Sequence, residues 1–89
     1  MSRRYVAQLT PQEKVNEVFR VVRKQLRTNR NGILYLQVDL ADRTGVITAL
    51  RWNATPEDAQ AFEPGDYVRV EGTTQVYHGG LQLIVKRFS

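Results

Sequence analysis

Residues 33–41, ILYLQVDLA, alternate in polarity, and this run constrains the chain more than any other. Leu34, Leu36, Val38 and Leu40 fall on one parity, and Ile33, Tyr35, Gln37 and Asp39 on the other. A period of two is that of a β-strand with one face on a core. The run is bounded by turn chemistry on both sides. Asn29-Arg30-Asn31-Gly32 precedes it, and Asn and Gly tolerate positive φ, which makes Asn31-Gly32 between apolar runs a hairpin signal. Asp42-Arg43-Thr44-Gly45 follows it with Asp first and Gly last, a type I turn pattern.

The rest of the chain is read outward from this strand. Residues 1–14 form a lead-in arm, in which Pro11 blocks any sheet ladder and Tyr5, Val6 and Leu9 pin the arm to the body. Residues 15–29 mix Val and Phe with Arg and Lys, and neither parity is purely apolar. That predicts a long strand that changes faces through a bulge near Val21 and Val22. A helix is the rival reading, opposed by the β-branched content and the lack of a cap before Val15. Residues 46–52 make a third strand. Thr55 then reads as a helix N-cap, with Pro56 at the first helical position and acids in the first turn. This helix ends near Phe62, and Pro64-Gly65 forms a type II turn. Residues 67–73 are a fourth strand, Thr74 to Gly80 a loop or hairpin tip, and residues 81–88 a fifth strand with Leu81, Leu83 and Val85 inward.

Three strands, a short helix and two strands is the order of an OB-fold: an all-β, five-stranded Greek-key barrel with a helix between strands 3 and 4. A sandwich of the SH3 kind is the alternative, and it does not usually place a capped helix after the third strand. With 89 residues there is one small core, so residues 15–89 are expected to form one domain. No cysteine is present, which excludes a disulfide scaffold, thiolate metal ligation and cysteine nucleophiles. There is no apolar run of about 20 residues, as a membrane span requires, and no apolar stretch behind the first residues to make a secretory signal. A cytoplasmic setting fits.

The charge is segregated. Residues 1–30 carry +6 and residues 31–89 carry −2, and ten of the thirteen basic residues are Arg. Arg is the better bidentate partner for phosphate and stacks on bases. Arg-rich surfaces also occur without nucleic acid, so charge alone leaves the two readings level.

The run Gly32-Ile33-Leu34-Tyr35-Leu36, then Leu40-Ala41-Asp42-Arg43-Thr44-Gly45, continues through Val46-Ile47-Thr48-Ala49 to Trp52. It goes on to Phe62, Pro64-Gly65-Asp66 and Val68-Arg69-Val70-Glu71-Gly72, ending in Tyr77, Gly79 and Leu81-Gln82-Leu83. This pattern resembles the N-terminal OB-fold (anticodon-binding-like) domain of the bacterial HD-domain 3′–5′ exoribonucleases, over almost the whole chain. The resemblance implies a longer protein in which a metal-dependent HD phosphohydrolase domain follows. This chain has one histidine, His78, and no His-Asp doublet, so the catalytic domain is not in it. Its end at Lys86-Arg87-Phe88-Ser89 suggests a domain cut from something longer.

Catalytic signals are scarce. One His without Cys does not supply a metal site, Ser2 and Ser89 are terminal, and Gly79-Gly80 lacks the phosphate-loop pattern. No cofactor is implied. Asp42 reads as a turn residue accepting from the amides of Thr44 or Gly45, and Asp39 as an exposed residue that can pair with an Arg.

Binding signals are better. OB-folds carry oligonucleotides on the outer face of strands 2 and 3 between two flanking loops. That face would offer Tyr35 and Gln37, then Thr48, Leu50 and Trp52, with Arg51 as a further phosphate candidate. The loops would offer Arg30 and Asn31 on one side, Tyr77 and His78 on the other. Arg20, Arg23, Lys24 and Arg27 form a basic track or a solvated face that protects an edge. Tyr35 and Tyr77 read equally as base contacts and as plain surface aromatics. Trp52, at a strand end, favours core packing over stacking; Tyr67 is expected beside the Pro64-Gly65 turn, and Phe19, Phe62 and Phe88 in the core.

The leading functional reading is a module for single-stranded RNA or DNA with low sequence specificity. Its rival is a protein-interaction or oligomerisation domain, and a homo-oligomer is compatible with either. The rival gains from the −2 charge of the segment holding strands 2 and 3, and more so if the basic first strand lies across the barrel from them.

Overall fold

The computed structural model describes residues 3–89; Met1 and Ser2, at the start of the expected arm, lie outside the described residues. Five strands follow a short 3-10 turn at Val6–Gln8: β1 (Lys14–Thr28), β2 (Leu34–Asp42), β3 (Gly45–Trp52), β4 (Tyr67–Tyr77) and β5 (Gly80–Phe88). One helix, α1 (Pro56–Gln60), lies between β3 and β4. The strands close into a barrel in the order β1-β2-β3-β5-β4, antiparallel except for β3 against β5. This is the five-stranded OB barrel expected from the element order.

The length and mixed polarity of β1 have one cause. The register on β2 jumps from Val21↔Leu40 to Arg23↔Asp39, so Val22 is the extra residue of a bulge. Before it, Val15, Phe19 and Val21 are buried and Arg20 is exposed. After it the parity reverses, and Arg23 and Arg27 are exposed while Lys24 and Leu26 stand opposite the buried Val38 and Leu36. The first half pairs with β4 from Lys14↔Thr73 to Arg20↔Tyr67, and the second with β2.

The core draws on every strand: Val15, Phe19 and Val21, then Leu36, Val38 and Leu40, then Ile47 and Ala49, with Val68, Val70, Leu83 and Val85 opposite. Phe62 and Ala54 close one end from either side of α1, and Phe88 packs against Phe62 with ring centroids 5.0 Å apart. The helix begins as its sequence dictates. Thr55 Oγ1 accepts from the Asp58 amide at 3.2 Å, and Asp58 accepts from the Thr55 amide at 2.9 Å. Its other end is held by Lys24, whose ammonium donates to the carbonyls of Ala59 and Phe62 and to Glu63. A cation at a helix C-terminus is favoured by the exposed carbonyls there. Lys24 is therefore a helix tether rather than part of a basic track.

Glu63 O accepts from the Asp66 amide at 3.0 Å across Pro64-Gly65, with Gly65 at φ 95°, which is the expected type II turn. Tyr67 does not pack beside it. It points outward and is 73% exposed, because the alternation of β4 sends Val68 and Val70 inward.

The fourth strand is longer than expected. It runs on through Thr73, Thr74, Gln75 and Val76 to Tyr77, and these pair with Leu81 to Ile84 of β5. The expected loop shrinks to a two-residue hairpin turn, His78 at φ 52° and Gly79 at φ 78°, the positive pair of a type I′ turn. Thr74 is buried and polar, which masked the strand in the sequence; its hydroxyl accepts from the Glu13 amide at 2.8 Å. A second register shift falls between Glu71 and Gly72, where β4 crosses β5 so closely that a Cβ on Gly72 would sit 2.3 Å from the Ile84 carbonyl oxygen.

Of the three residues expected to pin the arm, Val6 and Leu9 pack against the core, while the Tyr5 ring lies against the guanidinium groups of Arg3 and Arg43. Asp42 accepts from the Thr44 amide at 2.8 Å, as the turn requires, and also from the Val6 amide at 2.8 Å. Burial alone would raise the Asp42 carboxyl, but these bonds and that from the Thr44 hydroxyl outweigh it and hold it below its ordinary value. Arg4 meets Glu13 at 2.7 Å, and this hydrogen-bonded pair draws the Glu13 carboxyl down to about 2.

Two stability outcomes follow. Gly72→Ala should cost about 1–3 kcal/mol in chemical denaturation, since backbone must move to admit the methyl group. The lowered Glu13 contributes stability that is present above the ordinary carboxylate value of 4.5 and is lost as pH falls toward about 2. Glu13→Gln should therefore flatten the acid limb of a stability–pH curve while lowering its neutral plateau.

Candidate nucleic-acid interface

The outer face of the β1–β2–β3 sheet is assembled by register. Arg27 lies opposite Tyr35, and Tyr35 opposite Trp52. The next rows are Gln25, Gln37 and Leu50, then Arg23, Asp39 and Thr48. On the far side Thr48 meets Gln82 of β5, and Gln82 meets Gln75 of β4. All five strands thus contribute to one surface.

A groove of about 240 Å³ opens in it, lined by Tyr35, Gln37, Leu50, Trp52, Gln75, Tyr77 and Gln82. Leu50 is the floor, only 9% exposed although it stands on the outward parity, because its neighbours cover it. Tyr35 and Trp52 form one wall, with centroids 4.8 Å apart and ring planes tilted by 42°. Trp52 is 38% exposed, so it belongs to the groove and not to the core, contrary to the packing expected from its place at a strand end. Tyr77 is the other wall, 55% exposed and backed edge-on by the His78 ring at 4.2 Å. The three glutamines supply amides between the rings.

The charged groups sit beside the groove and not in it. Arg23 is 3.2 Å from Asp39, which also accepts from the Thr48 hydroxyl at 3.2 Å. Arg27 donates twice to Gln25 Oε1, at 3.0 and 2.8 Å, which holds its guanidinium over the sheet next to Tyr35. Arg30 is exposed in the β1–β2 turn, where the Asn29 side chain accepts from the amides of Asn31 and Ile33. Arg51 stands apart: it shares the core-facing parity of Ile47 and Ala49, pairs with Leu36 and is half-buried.

The structure therefore brings together Tyr35, Gln37, Trp52 and Tyr77, with His78 behind Tyr77, Thr48 at the rim, and Arg23, Arg27 and Arg30 flanking. Gln75 and Gln82 were not foreseen as site residues. Gln75 lies beyond residue 73, where the sequence pattern ends the fourth strand, and Gln82 alternates with Leu81 and Leu83, a signal that the fifth strand does contain. Among the described residues no group of three His, Asp or Glu side chains comes together as a metal site would need, and no helix is long and apolar enough to cross a membrane. A larger depression of about 600 Å³, near Gly72 between β1, β4 and β5, holds no aromatic side chain.

A closed barrel of this order, with an aromatic groove on β2 and β3 between two hairpin turns, has the architecture of an OB-fold nucleic-acid-binding domain. The chain belongs to that family: a family model described as an OB-fold nucleic acid binding domain, of the tRNA anticodon type, matches residues 19–89. Among curated proteins it is similar to the 3′–5′ exoribonuclease YhaM of Geobacillus sp. (strain WCH70), 38% identical over 56 residues. It is likewise similar to YhaM of Halalkalibacterium halodurans, 40% identical over 53 residues. These matches cover 63% and 60% of this chain but 17% of each exoribonuclease. The resemblance seen in the sequence holds. Among solved structures, a domain of replication protein A from Methanococcus maripaludis has a TM-score of 0.79 at 23% identity, covering 99% of this chain and 93% of that one. PriB from Ralstonia solanacearum has a TM-score of 0.70 at 15% identity, covering 85% and 94%. Both show the same fold.

Because Trp52 is the single tryptophan, it reports on the groove. Tyr35→Ala should shift its emission to the red by uncovering the indole, and cost about 0.5–1.5 kcal/mol beyond the lost area in thermal unfolding.

Proposed function

We propose that this domain binds single-stranded RNA or DNA with low sequence specificity and presents it to a separate 3′–5′ exonuclease domain, in a cytoplasmic protein. The observation that carries the reading is the groove itself: two aromatic walls over an apolar floor, with a row of arginines alongside. Rings stack on any base, at about 1–3 kcal/mol each, and arginines along the track neutralise phosphates. Duplex bases are already stacked and cannot enter.

The charge distribution supports this. The basic half of β1 lies beside β2 and not across the barrel from it. The acids of the later segment lie mostly elsewhere: Glu57 and Asp58 in α1, Glu63 and Asp66 at the turn after it, and Glu71 in a pair with Arg87 at 2.7 Å. Only Asp39 reaches the outer β2–β3 face, and it faces Arg23.

The link to an exonuclease rests on similarity to the YhaM exoribonucleases, and the HD domain expected from the resemblance would supply the metal and the cleavage. The residues of this domain hold and align the strand.

Fluorescence anisotropy with labelled single-stranded RNA, at low and moderate salt, tests the reading. Single-stranded DNA should bind comparably and duplex RNA poorly, and affinity should fall as salt rises. The double variant Tyr35→Ala/Tyr77→Ala should weaken binding at least tenfold. If the wild-type domain binds no single strand at low salt, the surface serves a protein partner instead.

A further inference from the structure

The groove uses only the half of β1 that follows the bulge. On the other half, Arg20 also faces outward, opposite Ala41 of β2 and Tyr67 of β4. Arg20, Arg43 and Tyr67 share a depression of about 380 Å³ with Tyr5 of the arm. We propose that this patch is a second contact site for the same single strand, with a phosphodiester between Arg20 and Arg43 and a base against Tyr67. The inference rests on the nucleic-acid reading above.

Three observations support it. Tyr67 is 73% exposed, although its strand neighbour Val68 is buried. A large ring held out of the core is free to stack on a ligand. Arg43 is positioned by an aromatic ring and not by an acid: its guanidinium lies 4.7 Å from the Tyr5 centroid and donates to the Tyr5 hydroxyl at 3.3 Å. A cation steadied this way keeps its charge for an anion. Arg20 makes no ion pair or side-chain hydrogen bond among the described residues, and it is exposed.

The acids nearby do not cancel this charge. Asp42 lines the depression as a carboxylate, but its oxygens accept from the amides of Val6 and Thr44 and it is one charge against the two of Arg20 and Arg43, while Glu17 lies 3.5 Å from Arg3. Arg20, Arg23 and Arg27 then form one path along the outer surface of β1, through the bulge, from the groove to Tyr67. A strand long enough to follow it would touch both sites, while a short one would fill the groove alone.

The test is length dependence. Labelled uridine oligomers of about five and about twelve nucleotides span the range of site sizes for such barrels. Arg20→Ala/Tyr67→Ala changes two exposed side chains, and unchanged circular dichroism confirms folding. It should leave five-mer affinity within about twofold and weaken the twelve-mer about tenfold. The slope of log K against log salt for the twelve-mer should become shallower by about 0.7 for the lost phosphate contact. Equal losses at both lengths, or none at either, would overturn the second site while leaving the groove intact. Five-mer binding that ignores Tyr35→Ala/Tyr77→Ala would overturn the groove reading, and the second site with it.

Discussion

The unpaired residue in β1 is the constraint on which both faces of the domain depend. One strand must serve β4 with its first half and β2 with its second, and the core lies to the inside of both. A strand of fixed parity would meet the turn between them with the wrong side chains. The bulge at Val22 corrects the parity, so that Phe19 and Val21 are buried before it and Lys24 and Leu26 take the core-side register after it, while Arg20 and then Arg23 and Arg27 face outward. A slip of one residue would exchange the two sets and bury three guanidinium groups. The bulge also frees backbone groups, and these are used. The Val21 amide donates to the Asp66 carbonyl at 2.8 Å, and the Val21 carbonyl accepts from the Gly65 amide at 2.7 Å. The Pro64-Gly65 turn is thereby tied to β1 where β1 changes partners, and Lys24, just beyond, ties down the helix end.

Elements whose patterns are local were legible. The clean alternation of Leu34 to Leu40, the Asp42 turn, the Thr55-Pro56 cap and the Pro64-Gly65 turn each carry their instruction within a few residues. Even the bulge showed, because a run with no apolar parity cannot be a regular half-buried strand. Features set by distant parts of the chain were not legible. Thr74 reads as a loop residue until Glu13 and the arm supply its partners. Lys24 reads as surface charge until α1 arrives above it. Trp52 and Tyr67 were misjudged for one reason: hydrophobicity says that a ring favours burial, but strand parity decides whether it gets it. In both strands the inward positions are filled by smaller residues, Ala49 and Ile47 in β3, Val68 and Val70 in β4, and the rings are left outside.

Charge was legible in amount and not in meaning. The segment from residue 31 onward is acidic on balance, which told against a nucleic-acid face on β2 and β3. The fold separates what the sum had merged. Asp58 caps a helix, Asp66 accepts from the Glu63 amide at 2.8 Å within its turn, and Asp42 anchors the arm. These carboxylates complete backbone structure, where they complement amide dipoles. The outer surface of β1 is left to arginine, and its half after the bulge lies beside the aromatic groove.

The groove's amides bear on how a base would be treated there. Gln37, Gln75 and Gln82 line it without a side-chain hydrogen bond to one another or to any other described residue. An amide held by a network presents a fixed donor or acceptor and can demand a particular base edge. An amide free to rotate can offer either its oxygen or its nitrogen, and so meets any edge. Stacking on Tyr35, Trp52 or Tyr77 is equally indifferent, since every base has a π-face. Rings without preference and amides without fixed orientation fit the low sequence specificity proposed for this groove. Discrimination would require one of those amides to be anchored.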